Sequence, residues 1–161
     1  MQVTYTDPSN GELVSAPFNI ESDDELKPLL THYLNKEKLQ SFIESLDINA
    51  ETKLLLEKIA SFTVTAGEIV IDVGRKILEF LVMFVQKFQT ASFGVVFALL
   101  ISFLISAIPF LGAFFGPLLA PILVIFGFSK GMLKDLESEH PELVGKINDA
   151  VSMFNIFNIA K

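Results

Sequence analysis

Polar side chains are sparse in the middle of this chain, and their spacing is regular. Between residues 65 and 90 they include Glu68, Asp72, Arg75, Lys76, Glu79, Gln86, Lys87 and Thr90. On a helix, at ~100° per residue, all eight fall within an arc of roughly 120°. Ile69, Val70, Ile71, Val73, Ile77, Leu78, Phe80, Leu81, Val82, Phe84, Val85 and Phe88 cover the remaining surface. Such a helix has a narrow strip of mixed charge and a wide apolar face. Asp72 with Lys76, and Arg75 with Glu79, are spaced to pair within the strip. Three settings suit it: the edge of a soluble bundle, a helix lying in the membrane interface or forming a stalk that contacts other subunits, and the lining of an aqueous pore. At ~1.5 Å per residue it would extend ~39 Å, enough to cross a ~30 Å hydrocarbon core. The strip mixes signs, so a pore lined by it has no evident ion selectivity.

Catalytic chemistry finds no foothold. His32 and His140 are far apart in sequence and neither lies in a metal-ligand spacing. There is no phosphate-binding glycine loop, no nucleophile elbow and no paired-histidine zinc motif. The acids from Glu21 to Glu25 lack the oxygen-ligand spacing of a calcium loop and read as a solvated helix start. With no cysteine, there is no disulfide, thiolate metal site or cysteine nucleophile. We therefore expect no enzyme, no cofactor and no metal.

The distribution of charge says more than its total. Acids outnumber bases eleven to five up to Ala60, whereas residues 88–129 carry no charge across 42 positions. An acidic chain without a basic patch argues against nucleic acid as a partner. The first residues, MQVTYTDPSNGELV, have neither a basic nor an apolar signal region, so the N-terminal part is expected in the cytosol.

A transmembrane helix needs ~20 apolar residues, so the uncharged run has room for two short limbs. Residues 91–108 form the first, residues 109–112 the break, and residues 113–129 the second. Arg75, Lys76 and Lys87 precede the run and Lys130 and Lys134 follow it, placing both ends, and both termini, on the cytoplasmic side. Gly112, Gly116 and Ala120 form a small-xxx-small series, and Ser102 and Ser106 share the same spacing, which allows close helix packing in lipid. Pro109 marks the hairpin break. Pro117 and Pro121 each remove a helical N–H, so the second limb should pack against protein or face water.

The flanking segments should be small and mostly helical. Val3 and Tyr5 before the turn signal Asp7-Pro8-Ser9-Asn10-Gly11, with Leu13 and Val14 after it, predict a short β-hairpin. Ser22 with Glu25 has capping-box spacing, and Pro28 suits the first turn of a helix to about Tyr33 or Leu34. A second helix is expected over residues 36–46, and a third from about Ala50 behind the cap residues Asp47 and Asn49. Pro141 opens a C-terminal amphipathic helix of about 17 residues, with Leu143, Val144, Ile147, Ala150, Val151, Phe154 and Phe157 on one face.

The expected fold is thus mainly α. It has an acidic cytosolic domain over 1–60, an amphipathic stalk or pore-lining helix over 61–90, a transmembrane hairpin over 91–129 and cytosolic amphipathic helices over 130–161. In architecture, across roughly residues 61–135, the chain resembles small bacterial membrane effectors such as phage-defence toxins and holins. The resemblance implies a homo-oligomeric pore in the inner membrane that breaks the permeability barrier when activated. Lipid, copies of the chain and a regulatory cytosolic protein acting on residues 1–60 would be its partners. A non-conducting membrane adaptor docking a partner through residues 1–60 is the first alternative. The second is a soluble bundle inserting on demand, similar to pore-forming colicin domains in its hidden uncharged hairpin.

Overall fold

The computed structural model describes residues 1–6 and 11–157, apart from the side chains of Pro109, Phe110 and Ala113. The chain is mainly helical with one small four-stranded sheet. The described residues divide into two compact units, one running to Phe80 and joined by Ile156 and Phe157, the other spanning residues 81–155.

The first unit opens with antiparallel strands β1 (Gln2–Thr6) and β2 (Leu13–Pro17). The expected hairpin is present; of its turn, residues 7–10 lie outside the described residues. A 3-10 turn, Asp23–Leu26, leads into the short helix α1 (Lys27–Leu30). The Ser22 side chain makes no capping bond, but Glu25 Oε2 accepts from the Glu21 N–H. Pro28 takes the first turn of α1, as proline without an N–H should. That helix ends at Leu30, three or four residues before the expected stop; the backbone turns extended at Thr31 and bends at Tyr33 and Leu34, where partners described below hold it. Helices α2 (Lys36–Ser45) and α3 (Ala50–Ala60) follow, with Asn35 and Asn49 accepting from the N–H groups of Lys38 and Thr52.

The continuous helix expected across 65–90 is corrected. Residues 64–71 form a hairpin of β3 (Val64–Ala66) and β4 (Ile69–Ile71), and helix α4 covers only Val73–Lys87. Gly67 and Glu68 make its two-residue loop, with Gly67 at φ +62° and no positive φ at Glu68. A glycine with positive φ at the first loop position is the primed turn whose twist suits a hairpin. The β-branched residues Thr65, Ile69, Val70 and Ile71 favour the pleated surface. The sheet order is β2-β1-β3-β4, so the second hairpin completes the sheet begun by the first.

The core of this unit joins sheet and helices. Val3, Val64 and Ile71 from the sheet are fully buried, as are Leu26, Leu29, Leu56, Ile59 and Val73. Phe18 and Phe157 meet edge to face at 6.3 Å. The start of α4 crosses the end of α3 so closely that a β-carbon on Gly74 would lie 1.5 Å from the Ile59 carbonyl oxygen. No side chain fits there, and the bare Gly74 N–H donates to the Phe62 carbonyl at 3.0 Å.

In the second unit, α5 (Phe93–Ala107) is the central element. It packs against α6 (Pro109–Ile125), α7 (Met132–Glu139) and α8 (Pro141–Val151). Gly94 through Ile101 are all buried, as befits a helix apolar all round. The break between α5 and α6 is shorter than expected. Ile108 alone separates them, Pro109 already opens α6, and α6 runs on through Pro117 and Pro121. The C-terminal amphipathic helix is present but shorter in α form, continuing as a 3-10 turn over Ser152–Phe157. Leu143, Ile147, Ala150, Val151, Phe154 and Phe157 are buried as the spacing indicated, and Val144 is half-buried.

Candidate functional site

Two groups of residues carry chemistry, one in each unit. The first is a buried set of charges on α4. Lys76 is 1% exposed and Glu79 3%, although charged residues almost never occupy such positions unless paired. Their partners come from residues 31–34, the irregular segment between α1 and α2. Lys76 Nζ donates to the Thr31 carbonyl at 2.6 Å and lies 4.6 Å from the centre of the Tyr33 ring. His32 Nδ1 meets Glu79 Oε1 at 2.8 Å, and the Tyr33 N–H donates to Glu79 Oε2 at 3.2 Å. Arg75 donates through its terminal guanidinium nitrogen to the Leu34 carbonyl at 2.7 Å. Within α4, Lys76 Nζ and Arg75 Nε each stand 3.7 Å from Glu79. Burial pulls the Lys76 ammonium below its ordinary pKa; the charge of Glu79 and its hydrogen bond oppose the shift, and Arg75 adds to it.

The expected polar strip is therefore dispersed. Arg75 and Glu79 pair as predicted, but the Lys76 ammonium turns to Glu79 and Thr31 rather than to Asp72. Lys76 and Glu79 face protein and not water. Glu68 is exposed in the β3–β4 loop, and Asp72 is half-buried just before α4. Gln86 and Lys87 are exposed at the other end of the helix. No spacing in the sequence could have identified residues 31–34 as the partners. The only signal was that a polar strip held just one acid among its central charges, Arg75, Lys76 and Glu79. Beside this cluster, Lys36, Gln40, Glu57, Ser61, Asp72 and Arg75 rim a cleft of about 310 Å³ floored by Leu39, Ile43 and Leu78.

The second group is the uncharged hairpin α5–α6. Its members do not share one environment. α5 is sealed on all sides in its first two and a half turns, and then emerges: Ser102 is half-buried and Ser106 exposed. α6 turns Leu111, Phe115, Ile122 and Leu123 inward. Its other face is open, with Pro117, Ala120 and Val124 exposed and Gly112, Gly116 and Pro121 half-buried. Val124 is 77% exposed, an unusual position for a large aliphatic side chain. A β-carbon on Gly116 would meet nothing within 4 Å, and one on Gly112 only Ile105 at 3.8 Å. Gly116 and Ala120 thus lie toward the open side of α6, whereas Gly112 faces Ile105 of α5. The close approach is instead at Gly94, beneath the ring of Phe126. α6 has no polar side chain, so its open face is apolar along its length.

Among the described residues, no helix is long and apolar enough to cross a membrane. α5 has 15 residues and α6 has 17, corresponding to ~22 Å and ~25 Å. Comparison with known protein families, curated proteins and solved structures finds no match to this chain.

Proposed function

We propose that this protein is a membrane-active, pore-forming effector whose α5–α6 hairpin enters a lipid bilayer and assembles with copies of itself. The observation that carries this reading is the open face of α6, which offers water no polar side chain over 17 residues. A contiguous apolar surface of this kind marks an interaction site with lipid or protein. The uncharged run continues on both sides of the hairpin, through residues 88–92 and 126–129, so each limb can lengthen inside lipid without carrying a charge in. Lys87 before the run and Lys130 after it would hold both ends at the same, cytoplasmic surface.

Insertion on demand suits the hairpin better than permanent residence. α7 and α8 cover α5, and α8 does so with one apolar face while Glu142, Lys146 and Asp149 stay exposed. Lipid can replace such a cover, because the bilayer is as apolar as the residues displaced. The output is loss of the membrane barrier, the role implied by the resemblance to bacterial phage-defence effectors. Dye-loaded anionic vesicles test it. Purified protein should release the dye and float with the vesicles. Flotation without release would support a non-conducting adaptor, and no association with lipid would overturn the proposal.

A further inference from the structure

The charge cluster on α4 has a property separate from any membrane role. Four consecutive residues, Thr31, His32, Tyr33 and Leu34, are held by three side chains, Arg75, Lys76 and Glu79. The segment has no helix or strand of its own, and the Thr31 and Leu34 carbonyls and the Tyr33 N–H take their partners from α4. Two cations and one carboxylate make up the set. Glu79 is its single anion, and it touches both cations, the His32 ring and the Tyr33 N–H. The Nε of Arg75 is buried without a hydrogen bond, its nearest anionic atom being Glu79 Oε1 at 3.7 Å.

We infer that Glu79 is a proton-operated catch that fastens the 31–34 segment to α4. With the carboxylate ionised, Lys76 and Arg75 have a counter-charge and the Tyr33 N–H an anionic acceptor. When Glu79 takes a proton, buried Lys76 and half-buried Arg75 lose their counter-charge, and removing one partner of a buried ion pair is strongly destabilising. Protonating His32 alone has a different effect. It keeps its hydrogen bond to Glu79 and adds a positive charge beside the carboxylate, so it does not release the segment while Glu79 stays ionised. The titratable groups against Glu79 are His32 from the segment and Arg75 and Lys76 from its own helix; Asp72 lies by Arg75 on the rim of the neighbouring cleft. Release detaches residues 31–34 and leaves the β3–β4 hairpin and the α3 contact with Gly74 in place.

Amide hydrogen exchange on the full chain, corrected for intrinsic rates, tests this. In wild type the Tyr33 amide should be protected near pH 7. It should lose about tenfold or more of that protection as the pH is lowered into the acid range. That factor corresponds to one charge-assisted hydrogen bond. The amides of Thr65 and Val70, paired within the sheet, should stay protected over the same range. Glu79→Gln keeps the shape and an acceptor oxygen but removes the charge. It should expose the Tyr33 amide by a similar factor at neutral pH while Thr65 and Val70 remain protected. If Tyr33 and the sheet amides lose protection together in acid, or if Glu79→Gln protects Tyr33 as wild type does, the inference is overturned. The wild-type titration needs no variant to fold, and neither outcome depends on lipid.

Discussion

Gly94 lies directly beneath Phe126: a β-carbon at Gly94 would stand 2.5 Å from the ring Cδ1. The contact joins the start of α5 to the end of α6, closing the hairpin at the side opposite its Ile108 turn. Phe93 and Phe97 also pack on the Phe126 ring, at 5.9 Å and 6.4 Å between centroids. The ring therefore has little room to retreat.

Gly94→Val should consequently destabilise the second unit by about 1–3 kcal/mol through overpacking. Chemical denaturation measures this. Phe126→Ala in the same chain should recover part of the loss, because the two changes share one contact and are not additive. A loss in the double variant equal to the sum of the two single losses would show that the two positions are not coupled through this contact.

Lys76 predicts a dependence on alkaline pH. Its folded pKa lies below the ordinary 10.5, chiefly because burial disfavours the ammonium. Between the folded value and 10.5 the unfolded chain binds more protons at this site, so stability rises with pH there. Below the folded value the desolvation cost is present in full. Relative to Lys76→Met, wild type should therefore gain urea resistance as alkaline pH rises toward 10.5. A constant difference would mean that burial of Lys76 carries no net cost.

Pro117 and Pro121 predict opposite effects in water and in lipid. Each denies α6 one backbone hydrogen bond, and an internal proline costs a helix ~3 kcal/mol relative to alanine. Replacing both with leucine should raise the thermal midpoint of the free protein and leave vesicle binding intact. Dye release or single-channel conductance should change, since the proline-freed carbonyls of the inserted limb must find protein or water. Unchanged release would mark the prolines as incidental to assembly.

Much of the local structure was legible in the sequence, and the particular failures have physical causes. The spacing of Leu39 and Ile43, the Asn49 cap and the Pro141 start all act within a few residues, and the corresponding helices are where they were expected. The β3–β4 hairpin was obscured because Glu68 and Asp72 fall by coincidence on the helical phase of Arg75, Lys76 and Glu79. The two-residue Gly67-Glu68 loop between β-branched runs was the competing signal. The buried charges were illegible for a different reason. A polar strip reads as a solvent-facing edge unless its partners are known, and here those partners are 41 to 47 residues away along the chain. The hairpin was legible in composition, but the sealing of α5 and the openness of α6 depend on where α7 and α8 fold back.

Ala120 offers the most direct test of the central claim. It is exposed on the open face of α6, near the middle of the limb that would enter lipid. Ala120→Lys should leave the folded state in water unchanged, within about 0.5 kcal/mol, as surface substitutions do. A lysine at mid-depth in a bilayer costs about 2.5–3.5 kcal/mol. Partition into neutral vesicles, measured by flotation, should accordingly fall about 100-fold, and dye release with it. Equal partition of Ala120→Lys and wild type would show that α6 does not enter the membrane, and would contradict the account.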